Sequence, residues 1–129
     1  MENYDYLIML KQRDNIILTK TEHFGDRIIK LYQYLTDVKH EYVMSKQILR
    51  SGTSIGANVA ESRNAQGPKD FISKLNIALK EADETHYWLG SLYRADYMTQ
   101  PQYESMHSDN DEIIRILTSI IKTMKERNQ

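Results

Sequence analysis

A chain of 129 residues and 15.2 kDa, 40% hydrophobic and 27% charged, with a formal charge of -1 and a mean hydropathy of -0.63, fits a single water-facing domain with a real core. No apolar run approaches the roughly 20 residues of a membrane span, and the acidic Met1-Glu2-Asn3-Tyr4-Asp5 with the short Leu7-Ile8-Met9-Leu10 is no signal peptide, so a cytoplasmic protein is expected. Zero cysteines exclude disulfides, thiolate metal sites and cysteine nucleophiles.

Residues 1–20 mix tyrosines with Leu7-Ile8-Met9-Leu10 and Ile16-Ile17-Leu18 without a sustained period. They are expected to form an arm that docks on the remainder, residues 21–129, or on a neighbouring subunit. From Thr21 to Lys39, Phe24, Ile28, Leu31, Leu35 and Val38 recur at steps of three and four, the apolar stripe of a first helix.

A second helix is expected over Glu41–Asn64. Inside it Gly52 and Gly56 stand four apart beside Ile48, Ile55 and Val59, so one face has almost no bulk at its middle. Each glycine costs about 1 kcal/mol of helix propensity relative to alanine, and close approach of another helix is the natural compensation.

Gly67-Pro68 supplies a stop and a restart. The third helix, Lys69–Tyr97, carries Phe71, Leu75, Ala78, Ala82, Thr85, Leu89 and Leu92 in alternating steps of four and three. Thr99-Gln100-Pro101-Gln102 matches a capping box. Beyond it Met106, Asn110, Ile113, Leu117, Ile120 and Met124 form the seam of a fourth helix, Pro101–Arg127, with Asn110 its one polar member. Short connections between long helices predict an all-α, antiparallel up-down-up-down four-helix bundle.

The blocks Leu49-Arg50-Ser51-Gly52-Thr53-Ser54-Ile55-Gly56-Ala57-Asn58-Val59-Ala60-Glu61, Asp70-Phe71-Ile72-Ser73-Lys74-Leu75 and Ala78-Leu79-Lys80-Glu81-Ala82, with Glu84-Thr85 and Tyr87-Trp88-Leu89, resemble a bacterial family. It is the family of four-helix bundles first named for proteins encoded in 23S ribosomal RNA intervening sequences. The resemblance implies a left-handed bundle that assembles as a homopentameric ring. It also implies kinship in fold with the accessory protein of diversity-generating retroelements, a basic ring that engages a reverse transcriptase and nucleic acid.

Polar members of these blocks are Arg50, Asn58, Glu61, Lys74, Lys80, Glu81 and Glu84. They flank the apolar seams, where such groups fix helix register or a subunit interface. Lys46, Arg50, Arg63, Lys69, Lys74 and Lys80 are candidate contacts to a partner or nucleic acid. With Arg94 they outnumber the acidic residues between Lys46 and Arg94 by two, although the chain as a whole is not basic and nucleic-acid binders commonly are. Trp88 next to Tyr87 fits a buried or interfacial anchor better than a base-stacking platform.

Catalytic patterns are weaker. No G-x-S-x-G elbow surrounds Ser51, Thr53 or Ser54, and no phosphate-binding loop follows Gly52 or Gly56. Glu104-Ser105-Met106-His107 and Asp83-Glu84-Thr85-His86 touch the di-iron carboxylate pattern of four-helix bundles. Counted from a turn at Met98–Thr99, however, the two histidines should miss each other by roughly 6 Å. The expected protein is therefore a non-enzymatic oligomeric scaffold or accessory protein without a cofactor, self-associating and binding RNA, DNA or a nucleic-acid-processing protein. A metal-dependent di-iron oxidoreductase is the alternative.

Overall fold

Four stripes at helical spacing converge on one core in the computed structural model, which describes residues 2–127, with side chains from Lys11 onward. The helices are α1 (Glu2–Asp37), α2 (Met44–Ser62), α3 (Pro68–Arg94) and α4 (Gln100–Arg127), and no strand occurs among the described residues. Each helix packs on the next in the chain and α1 closes against α4, the all-α four-helix bundle that the seams predict.

The seams of α3 and α4 are as expected in their central parts, where Leu75, Ala78, Ala82, Thr85, Leu89 and Leu92 and, on α4, Met106, Asn110, Ile113, Leu117 and Ile120 are buried, whereas Phe71 and Met124 at the outer ends are only partly buried. The capping box forms, with the Thr99 amide donating to Gln102 Oε1 at 2.9 Å and the Gln102 amide to Thr99 Oγ1 at 3.4 Å.

The first helix differs. It starts at Glu2, not Thr21, so the backbone of the expected arm is helical and continuous with α1. Its buried stripe is Ile17, Thr21, Phe24, Ile28 and Leu35, whereas Val38 is 60% exposed. Thr21 interrupts the apolar pattern, yet its hydroxyl donates to the Ile17 carbonyl at 2.8 Å and so sits in the core without an unmet hydrogen bond. The side chains of Tyr4, Tyr6, Leu7, Ile8, Met9 and Leu10 lie outside the described residues.

The second helix starts at Met44 because Glu41 caps it instead of joining it. The buried Glu41 carboxylate accepts the amides of Val43 and Met44 at 3.1 Å each and of Ser45 at 2.7 Å, satisfying the orphan donors of the first turn. His40, with φ 54°, turns the chain into this cap.

The glycines meet α1. A Cβ at Gly52 would lie 2.7 Å from Ile28 Cγ1, and one at Gly56 3.2 Å from the Thr21 carbonyl oxygen. The small-residue face thus seats α2 on α1.

One acid is misplaced energetically. Asp14 Oδ1 is enclosed without a hydrogen-bond partner among the described residues, and burial raises its pKa above the ordinary 3.8 despite the charge of Arg63. A raised folded-state pKa gives stability that is complete below about 3.8 and is lost as pH rises through the folded value. Asp14→Asn is therefore expected to be more stable than the parent at pH 7, by about 1 kcal/mol or less, and to lose that advantage at pH 3. Thermal melts at the two pH values check this.

Candidate functional site

Three polar members of the motif blocks, Arg50, Glu81 and Glu84, come together on the outer face of α2 and α3. Arg50 projects from α2 between two carboxylates one helical turn apart on α3: Nη1 donates to Glu81 Oε2 at 3.1 Å, and Nη2 donates to Glu84. The indole of Trp88, one turn further on, donates to Glu84 Oε1 at 3.4 Å. The hydrogen bond from Arg50 holds the Glu84 carboxyl below the usual carboxylate range, and the same bond raises the Arg50 pKa.

Beneath this layer the Ser51 and Thr85 hydroxyls are hydrogen-bonded at 2.9 Å, both buried, and Thr85 Oγ1 lies 2.8 Å from the Glu81 carbonyl oxygen. Small side chains at these positions let α2 and α3 approach, and the Arg50 bridge closes over the gap. Half of the Arg50 side chain remains exposed, at 49%. Exposed pairs of this kind contribute about 0–1 kcal/mol, so the network fixes the register of α2 on α3 more than it stabilises the fold.

The other singled-out residues are dispersed. Lys74 pairs with Glu61 at 3.1 Å, a second α2–α3 bridge. Asn58 donates to the Ser54 carbonyl of its own helix at 2.8 Å and stays apart from the cluster. Arg63 is exposed at the end of α2, near Asp14. Lys46, Lys69 and Lys80 are exposed and without an ion pair among the described residues. Lys69 edges an open concavity with Gln66, Gly67, Pro68, Asp70 and Ile72. Arg50 and Lys74 are thus neutralised in place, and the six cations do not form one basic stripe.

The histidines correct an expectation. His86 and His107 do meet, with ring centroids 5.0 Å apart. The cause is the turn: α3 ends at Arg94, not Tyr97, and Asp96 at φ 66° reverses the chain early. His86 then lies eight residues before the end of α3 and His107 seven after the start of α4. A di-iron set still does not assemble. Glu84 faces α2 while His86 faces α4, Glu104 is hydrogen-bonded to Gln100, and no group of three or more His, Asp or Glu suited to a metal exists among the described residues.

Sequence inspection missed the α1–α4 seam. Arg13 donates to Thr123 Oγ1 at 3.3 Å, Lys20 pairs with Glu112 at 2.6 Å, and Arg27 reaches Asp109 at 2.5 Å and Ser105 Oγ at 2.8 Å. The signal available was the run of cations at steps of seven, Arg13, Lys20 and Arg27, on one side of α1.

No helix among the described residues is long and apolar enough to cross a membrane. No curated protein matches the chain. A crystal structure of a protein with unknown function from the S23 ribosomal protein family of Bacteroides thetaiotaomicron VPI-5482 is 56% identical, over 85% of this chain and 98% of that one, with a TM-score of 0.84. Residues 13–119 match the family described as 23S rRNA-intervening sequence protein. That match spans most of the bundle, motif blocks included, and the chain belongs to the 23S rRNA-intervening sequence protein family.

Proposed function

We propose that the protein is a non-enzymatic scaffold, a homopentameric cytoplasmic ring whose subunits join along the α1–α4 seam and whose assembled surface binds another macromolecule. The seam carries this reading. Three successive concavities of about 370, 190 and 250 Å³ run along it. Ile16, Ile116 and Ile120 line one end and Leu31, Met98 and Met106 the other, and the middle is polar, with the Lys20–Glu112 pair across it over Ile113.

Apolar hollows at the two ends of the seam, on either side of the ion pairs that cross its middle, suit contacts from a helix of a second copy, and among the described residues α1–α4 is the least extensive of the helix contacts. Docking of one copy on the next is a heterologous contact, which closes into a ring when the rotation permits. The number five rests on the resemblance of the motif blocks to ring-forming bundles. Nucleic acid is the macromolecule that the unpaired Lys46, Lys69 and Lys80 favour. Repetition around a ring turns weak contacts into useful avidity, with an affinity that falls steeply with salt.

Ile16, 49% exposed on the groove floor, provides the test. Ile16→Glu places an unpaired charge in the joint. It is expected to convert the assembly into 15.2 kDa monomers with unchanged helix content by circular dichroism. A variant that keeps the parent's mass contradicts the seam as the joint.

A further inference from the structure

His86 on α3 and His107 on α4 face each other across a seam on which the α2–α3 network does not draw. Their ring centroids are 5.0 Å apart and their planes are inclined at 53°. His107, which is half-buried, also stacks on Tyr103 at 5.4 Å and 22°. Tyr103 in turn meets Tyr93 edge-on at 4.6 Å. The aromatic contact constrains the His107 imidazole, while His86 is exposed. Neither ring has a hydrogen bond or ion pair among the described residues, so the acceptor nitrogen of each neutral imidazole is uncommitted.

We propose that His86 and His107 form a two-histidine clamp for a divalent ion of the zinc or copper type, bridging α3 and α4. Imidazole nitrogen suits these ions, and hard cations such as magnesium prefer oxygen. The spacing fits. An ion about 2.0–2.1 Å from a nitrogen of each ring stands about 3.2 Å from each centroid, so a tetrahedral angle at the ion separates the centroids by about 5.2 Å and a right angle by about 4.5 Å. The observed 5.0 Å falls between these limits. Lone pairs lie in the ring planes, and rings inclined at 53° are not stacked flat, so the lone pairs can converge on one point.

Protein donors stop at two. Glu104 is held by Gln100 at 2.9 Å and Asp111 by Arg115 at 2.5 Å, and no cluster of three suitable side chains exists among the described residues. Water completes the coordination shell. The result is an open, exchangeable site that braces α3 against α4 when occupied, since an ion bound only by the folded chain stabilises it by mass action.

The test uses the full chain, zinc chloride as probe and magnesium chloride as control, read by titration calorimetry and thermal melting. One zinc ion per chain is expected to bind with micromolar affinity and to raise the melting temperature, with no response to magnesium. His86→Ala alters an exposed side chain; with its helix content confirmed by circular dichroism, it should weaken zinc binding at least about tenfold and abolish the thermal shift. His107→Ala should behave likewise, and His23→Ala, at an exposed position on α1, should match the parent. Absence of saturable binding below about 1 mM zinc, retention of binding in His86→Ala, or its loss in His23→Ala overturns the clamp.

Discussion

Gly52→Ala is expected to destabilise the bundle by about 1–3 kcal/mol, although alanine improves helix propensity there by about 1 kcal/mol. The added Cβ would stand 2.7, 2.8 and 2.9 Å from Cγ1, Cδ1 and Cγ2 of Ile28. Two of these atoms branch directly from the Ile28 Cβ, so no rotation of a flexible tip relieves the contact. Ile28 is fully buried, and its movement disturbs the core in turn. A double-mutant cycle isolates the cause. Ile28→Ala removes all three clashing atoms, and in that background Gly52→Ala should cost less by about 0.5–3 kcal/mol. Urea denaturation of the four proteins measures it, and a Gly52→Ala chain as stable as the parent refutes the close approach of α2 to α1. Gly56→Ala meets the Thr21 backbone at 3.2 Å, a lesser overlap that should produce a smaller loss.

Asn110→Asp is expected to have the largest effect on stability. Asn110 is fully buried, Nδ2 donates to the Ala82 carbonyl at 3.0 Å, and Oδ1 has no partner among the described residues. An aspartate there must bury an unpaired charge or hold a proton that it can donate to Ala82. Keeping a carboxyl of ordinary pKa near 4 protonated at pH 7 costs about 4 kcal/mol, and burying the charge costs at least as much. The folded-state pKa is raised, so stability is recovered below the unfolded value and lost as pH rises. Denaturation should show a deficit of about 4 kcal/mol at pH 7 that nearly vanishes at pH 3. Asn110→Leu, which removes the unpartnered oxygen with the amide, should cost far less than Asn110→Asp at pH 7, and its cost should not change with pH. A pH-independent deficit in Asn110→Asp contradicts this account of the seam.

The particular residues show what a single sequence reveals here. Where the steps of three and four run unbroken, as in α3, the period places Leu75, Ala78, Ala82, Thr85, Leu89 and Leu92 in the core and misses only the buried Gly90, which has no side chain to mark it. Where a polar residue joins the core with its hydrogen bond met locally, as Thr21 does through the Ile17 carbonyl, a pattern built from apolar residues stops early and begins the first helix at Thr21. Glu41 produced the opposite error at α2, because a capping carboxylate and a first-turn glutamate are indistinguishable in sequence. The polar residues flanking the seams are legible in the motif blocks, but which of them pair is not: Arg50 joins Glu81 and Glu84, Lys74 joins Glu61, and Asn58 turns to its own backbone. The His86–His107 contact depended on the position of one turn; an error of three residues at the end of α3 displaced it.

The absolute mass of the intact chain by light scattering at micromolar concentration tests the central claim most directly. A closed ring of five copies of the 15.2 kDa chain predicts about 76 kDa. A mass of 15.2 kDa would leave the bundle in place and contradict the scaffold.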